Sequence, residues 1–213
     1  MRRQHTPSSG RLHPEQVAIK SSLPNGHRRW QQPMRSGRLP WRIKDTFSYR
    51  RPNMNAKDAL KLSIGMGRMV CMSYLDDLTD DELLRRPCEG CNHINWQVGH
   101  LVASEHALIE KAVPGSMPPL PEGFEERYSR ETTSVDDPGA FCNKAELLAA
   151  FEAQRAGTLQ ALEQVAESDL DRETGIEYAP TVAALFEMQG SHWLMHAGQW
   201  AVVRRQLGRP PLF

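Results

Sequence analysis

The sequence lacks long apolar runs, strand-like alternation and abundant cysteine, and each absence narrows what the protein can be. No stretch approaches the roughly 20 consecutive apolar residues of a membrane-spanning helix. Residues 1–53 lack the apolar run of about 7–15 residues that a secretory signal requires. No segment shows the period of two that a half-buried strand produces. We therefore expect a helical protein that does not enter the membrane and functions in the cytoplasm.

Cysteine is scarce, with four residues in the chain (Cys71, Cys88, Cys91 and Cys142). Without a secretory signal, these thiols are expected to stay reduced. Cys88 and Cys91 form a single Cys-x-x-Cys pair in PCEGCNH, with no second pair and no strand–helix context of thioredoxin type. Two interpretations stay open for them: a loop with two incidental thiols, or a metal or redox pair.

Acidic residues are scarce at one end of the chain. Residues 1–53 contain 12 of the 26 Lys and Arg residues but 2 of the 26 Asp and Glu residues. This segment is also rich in Pro, Gly, Ser and Gln, which is typical of chains that cannot bury enough apolar surface to fold. We predict a disordered basic tail. The alternatives are a nucleic-acid-binding arm, a transit peptide, or a mis-assigned start, with Met54 as the true first residue. Nucleic acid is expected as a partner only through this tail.

Residues 54–213 have the period of an amphipathic helix instead. Four long helices are predicted, over 57–78, from an N-cap at Asn95 to 113, over 143–167, and from Thr181 to 207, where Gly208 and Pro210 follow. Asn143 and Glu146 are expected to form a capping box for the third helix, whose apolar stripe includes Leu159. Irregular connections cover 114–142 and 168–180. These lengths predict an all-α domain, an antiparallel four-helix bundle with long connections.

The last predicted helix contains SHWLMHAGQW, in which two histidines are four residues apart. Helical spacing of four places His192 and His196 on one face, where two imidazoles can share an ion. Gln189 and Gln199 lie on the same stripe and are candidate hydrogen-bond partners. A pair of hydrogen-bonded core histidines is the alternative. The zinc-protease motif is excluded, because its Glu is absent between the two histidines.

The second predicted helix supplies a third imidazole, from His100. His106 is about 240° further around that helix and is expected to face solvent. His93 precedes the helix and is expected to cap it or to lie in a loop. Three imidazoles from two facing helices, without a fourth protein ligand, would leave an open coordination position, as catalytic metal sites do.

Two blocks, NHINWQVGHLVASE and SHWLMHAGQWAVVRRQLGRPPL, resemble the DinB/YfiT-like superfamily of metal-binding four-helix proteins. The resemblance extends over about residues 54–213 and does not include the basic tail or the Cys88/Cys91 pair. It implies a divalent metal ion, nickel or zinc in the first place, held by three histidines. Matching residue by residue, these are His100, His192 and His196.

The resemblance also implies three possible functions. Characterised relatives include transferases and isomerases that use bacillithiol, mycothiol or glutathione, so the first hypothesis is a thiol-dependent transferase. The second is a metal-dependent hydrolase, and the third is a non-catalytic metal-bound protein of stress response or ligand binding. The absence of Asp and Glu from the histidine stripe favours the first. Because the family often pairs its bundles, we also expect a homodimer, with Trp193 and Trp200 at the interface.

Overall fold

The computed structural model describes residues 53–213, so the predicted disordered tail lies outside the described part of the chain. Within it the regular structure is helical, and the prediction of an all-α protein is confirmed. A single isolated bridge joins Glu173 and Thr181, and the described residues form no strand. The six α-helices are α1 (Ala56–Leu75), α2 (Asp80–Leu83), α3 (Ile94–Ala112), α4 (Phe124–Arg127), α5 (Lys144–Gln164) and α6 (Val182–Gln206).

Side-chain caps explain where three of the long helices begin. Asn143 and Glu146 form the predicted capping box at α5, and Thr181 caps α6 by accepting from the backbone N–H of Ala184. Asn55 and Asp58 form a further capping box at α1. Each cap satisfies backbone N–H groups that have no partner within the helix. The sequence therefore encodes these boundaries locally.

The predicted cap of α3 is wrong. His93 occupies the N-cap position, and its Nδ1 accepts from the backbone N–H of Trp96 at 3.0 Å. The Asn95 amide is buried and has tertiary partners: it donates to the Cys142 carbonyl at 2.8 Å and accepts from the Tyr128 hydroxyl at 3.2 Å. Long-range contacts of this kind override a local capping preference.

Helix α6 packs against α1 and α3, and α5 packs against α3 and α1. Glycines allow α1 and α6 to approach closely, because a Cβ on Gly190 would lie 2.5 Å from the backbone oxygen of Ser63. On α1 the buried residues follow spacings of three and four, as expected for one helix face: Leu60, Ile64, Gly67, Cys71 and Leu75.

The apolar core has two clusters. One contains Trp96, Trp193 and Trp200 together with residues of all four long helices. The other contains Leu170 and Ala179, so the connection over 168–180 packs there. The predicted apolar stripe of α5 is wrong at one position: Leu159 is 37% exposed, whereas Arg155, four residues earlier, is 2% exposed.

Cys88 and Cys91 are joined by a disulfide in the connection between α2 and α3. Their Cα atoms are 5.4 Å apart, within the range that a disulfide spans. The expectation that all four cysteines are reduced is therefore wrong for this pair. Cys71 and Cys142 are free and buried. No helix among residues 53–213 combines the length and apolar character needed to cross a membrane.

Candidate metal centre

The three predicted histidines come together, His100 from α3 and His192 and His196 from α6. One potential ligand atom from each lies within 4.8 Å of those from the other two. The ring centroids are 5.0 Å apart for the pair on α6, and 5.6 and 5.9 Å from His100 to His192 and His196. Among the described residues, no other group of three His, Cys, Asp or Glu side chains could hold an ion. We call these three residues the histidine cluster.

The donor set fits a divalent ion. Zinc binds imidazole nitrogen at about 2.0–2.1 Å, so two ligands of a tetrahedral ion lie ~3.4 Å apart. The upper bound of 4.8 Å on the separations is compatible with this value after small movements of the side chains. Three protein nitrogens also leave one position of a tetrahedral ion open, as in catalytic zinc sites. The role of these histidines as ligands remains a prediction.

Electrostatics keep the imidazoles neutral. Burial, and secondarily the neighbouring imidazoles, lower the pKa of His192 and of His196 to about 4. The pKa of His100 is also lowered, first by burial and then by the positive charge of Arg130. The cluster includes no carboxylate. At neutral pH each ring therefore has a nitrogen lone pair available for a cation.

The connection between α3 and α5 forms one wall of the site. The Trp96 ring stacks on the His100 ring, at 5.0 Å between centroids and 9° between planes. The Trp96 indole N–H donates to the Thr132 hydroxyl at 2.9 Å and to the Ser129 carbonyl at 3.3 Å. Arg130 lies between Ser129 and Thr132 in the chain, in the same turn. Residues of the connection over 114–142 thus contact Trp96 beside the cluster, although no sequence motif identified these side chains.

Gln97 is the hydrogen-bond partner of the cluster that the sequence analysis missed. Its Oε1 lies 2.9 Å from His196 Nδ1. Of the glutamines predicted for this role, Gln189 donates to the Leu185 carbonyl of its own helix, and Gln199 contacts Gln97. Gln97 is three residues before His100 in the same sequence block, which was the available signal.

His93 and His106 lie outside the cluster. His93 is 0% exposed, and burial lowers its pKa to about 4. His106 is half-buried, with Nδ1 3.0 Å from Gln154 Oε1, so the prediction that it faces solvent is wrong. Neither residue contributes to the set of converging nitrogens.

The predicted dimer contacts are not on the surface. Trp193 and Trp200 are both 0% exposed within the single chain. The Trp193 indole donates to Glu105, and the Trp200 indole donates to Gln97. The proposal that a partner subunit covers these two rings is therefore wrong, and their burial is intramolecular.

Comparisons with known proteins agree with this architecture. The family model of the DinB superfamily matches residues 66–200, a range that includes the histidine cluster. A crystal structure described as that of the conserved protein of locus from Enterococcus faecalis is 19% identical, with a TM-score of 0.57, and the match covers 74% of this chain and 100% of that one. At this identity the likeness shows the fold alone. No curated protein sequence matches the chain. The chain belongs to the DinB superfamily.

Proposed function

We propose that this protein is a metal-dependent transferase that activates a low-molecular-weight thiol. The observation that carries the proposal is the convergence of three neutral imidazoles without a carboxylate. A hydrolase commonly uses a carboxylate or another base to accept the proton of water. A thiol needs less assistance to lose its proton, because its ordinary pKa of about 8.5 is already close to neutral pH.

In this proposal His100, His192 and His196 hold the ion, nickel or zinc. When bound, such an ion supplies Lewis acidity that lowers the pKa of a thiol at the open position. Arg130 acts in the same direction, because the positive charge that lowers the pKa of His100 also favours an anionic thiolate nearby. Trp96 holds one face of His100 and limits the access of water to it.

The thiol must come from a second substrate. Cys71 is buried, and burial raises the pKa of its thiol to about 12, so it stays protonated. Cys142 is 5% exposed, and Cys88 and Cys91 are joined to each other. In the reaction the thiol proton passes to water, the sulfur forms a bond to an electrophilic carbon, and the leaving group departs with its bonding electron pair. The cytoplasm, with its pool of small thiols, is the compartment that the proposal requires.

The proposal is tested by metal analysis of the purified protein, followed by conjugation assays with glutathione, bacillithiol or mycothiol and an electrophile. Metal-dependent formation of the thioether is the expected result, and His106→Ala should retain it. Turnover of a substrate with water, in the absence of any thiol, would contradict the proposal and support the metal-dependent hydrolase. Bound metal without turnover of any thiol would replace it by the non-catalytic alternative.

Two structural proposals accompany it. We take the four long helices to form an antiparallel bundle, which presents His192 and His196 to His100. We also propose a homodimer, now without a role for the buried tryptophans. Sedimentation of the full chain at micromolar concentration should show a dimer, and a monomer alone would exclude it.

A further inference from the structure

We propose that Gln97 is a positioning residue that fixes the tautomer of His196 and thereby selects Nε2 as the nitrogen offered to the ion. The inference rests on the proposed function only through the presence of an ion. Its geometric basis is a buried amide with four hydrogen-bond partners. Gln97 is 1% exposed, so water does not satisfy its polar atoms.

Two of the four partners fix the orientation of the Gln97 amide, because one can only donate a hydrogen bond and the other can only accept one. The Trp200 indole N–H can only donate, and it lies 2.9 Å from Oε1. The Asn92 backbone carbonyl can only accept, and it lies 2.6 Å from Nε2. Exchanging oxygen and nitrogen would oppose donor to donor at Trp200 and acceptor to acceptor at Asn92. Both contacts therefore require the same orientation, independently of any histidine.

This orientation determines where His196 carries its proton. The Gln97 atom that lies 2.9 Å from His196 Nδ1 is the oxygen, which can only accept. Nδ1 must therefore be protonated. A neutral imidazole has one N–H, so Nε2 is the nitrogen with a lone pair. Histidine ligands of metal ions are commonly oriented in this way, by a hydrogen bond from the ring nitrogen that does not bind the ion.

The amide is also held against rotation. Its Nε2 donates to Gln199 Oε1 at 3.1 Å as well as to Asn92. Gln97 therefore links α6 to the segment that precedes α3. The tautomer of His196 is thus set before any ion binds, and binding does not have to reorganise the ring.

The chain provides a matched control in Gln154. It too is 1% exposed, its Oε1 lies 3.0 Å from His106 Nδ1, and its Nε2 donates to the Pro118 carbonyl at 2.9 Å. The chemistry is the same, but the histidine is outside the cluster. A merely structural role for buried glutamine would make the two positions equivalent.

The first test is the tautomer of His196 in the metal-free full-length protein, measured by long-range ¹H–¹⁵N correlation of the imidazole nitrogens. We expect the Nδ1–H form in the wild type and a mixture with the Nε2–H form in Gln97→Met. An Nε2–H tautomer of His196 in the wild type would overturn the proposal. This measurement is decisive even if the proposed function fails, because it requires neither metal nor substrate.

The second test is affinity for Zn²⁺ and Ni²⁺, measured by competition with a chromophoric chelator. We expect Gln97→Met to weaken binding by about 10- to 100-fold. Gln97→Glu keeps an acceptor for His196 but loses the N–H that donates to Asn92 and Gln199, so its affinity should fall between those of the wild type and Gln97→Met, and Gln154→Met should not change it. Wild-type affinity in folded Gln97→Met, or equal losses in Gln97→Met and Gln154→Met, would overturn the proposal. If Gln97→Met does not fold, Gln97→Glu decides: Nδ1–H His196 supports the proposal and Nε2–H contradicts it.

Discussion

Two polar clusters link α3 to the other long helices, and they differ in whether opposite charges are paired within them. In the first, which we call the paired cluster, Glu105 Oε2 accepts from Arg155 at 2.9 Å and from the Trp193 indole at 3.2 Å. Glu105 Oε1 accepts from the Thr158 hydroxyl at 2.7 Å. The second is the histidine cluster, in which three imidazoles converge without a carboxylate.

This difference separates a structural group from a candidate site. Glu105 and Arg155 are 0% and 2% exposed, and each charge has its counter-charge inside the protein. The histidine cluster is half-buried and contains no carboxylate that could pair with a cation or an imidazolium. His192 and Trp193 are neighbours in sequence, yet one belongs to each cluster because they point to different faces of α6. A cation is the partner that would complete the histidine cluster.

The largest expected effect is a difference in the free energy of unfolding between variants of the two clusters. Glu105→Ala leaves the buried Arg155 charge unpaired, which should lower the free energy of unfolding by about 3–5 kcal/mol. His100→Ala, five residues earlier on α3, should cost much less in metal-free protein, because its nitrogens complete no internal network. Urea denaturation of both metal-free variants measures this. Equal losses would show that the histidine cluster is also a structural group.

Acid should weaken the protein through its buried histidines. The pKa of buried His93 is about 4, below the value of about 6.5 in the unfolded chain. The unfolded state therefore takes up protons first, and stability present above about pH 6.5 is lost as the pH falls toward 4. The contribution of His93 is at most about 3 kcal/mol. Denaturation of metal-free protein across this range measures the loss.

His93→Asn is the control for this effect, because asparagine retains an N-cap acceptor without titrating. Its free energy of unfolding should depend less steeply on pH between 4 and 6.5. The remaining pH dependence of stability includes contributions from His192 and His196. These contributions are smaller than those of fully buried rings, because both rings are half-buried. Identical pH profiles for the wild type and His93→Asn would contradict the lowered pKa of His93.

Two glycines of α6 give a smaller and more local comparison. Gly190 follows Gln189, whose carbonyl accepts from Arg155, and a Cβ there would meet the Ser63 backbone at 2.5 Å. Gly198 lies beyond His196 and has no neighbour within 4 Å of an added Cβ. Gly190→Ala should destabilise by about 1–3 kcal/mol. Gly198→Ala should be neutral or stabilising by up to about 1 kcal/mol, because alanine favours the helix.

Thermal denaturation of the two alanine variants decides between these outcomes. A similar fall in melting temperature for both would mean that helix propensity and close packing do not distinguish the two glycine positions of α6. Stabilisation by Gly190→Ala would contradict the close approach of α1 and α6.

The sequence was sufficient for what depends on local spacing. Four-residue spacing joined His192 to His196, and Asn143 with Glu146 predicted the start of α5. Tertiary partners decided the rest. Arg155 is buried because it forms an ion pair with Glu105 on α3. Asn95 is not a cap because its side chain forms hydrogen bonds with Tyr128 and Cys142. Gln97 on α3 contacts His196 on α6. These pairings join positions far apart in the chain, and local spacing in one sequence does not reveal which residues pair.

The most direct test of the metal centre is metal stoichiometry and affinity in the wild type and in alanine variants of His100, His192, His196 and His106. We predict about one divalent ion per chain in the wild type, loss of most of it in each of the first three variants, and retention in His106→Ala. Two ligands rarely hold a labile ion, whereas His106 bonds to Gln154 outside the cluster. Near-stoichiometric metal that survives His192→Ala with unchanged affinity would contradict the assignment, as would a metal-free wild type after incubation with Zn²⁺ or Ni²⁺.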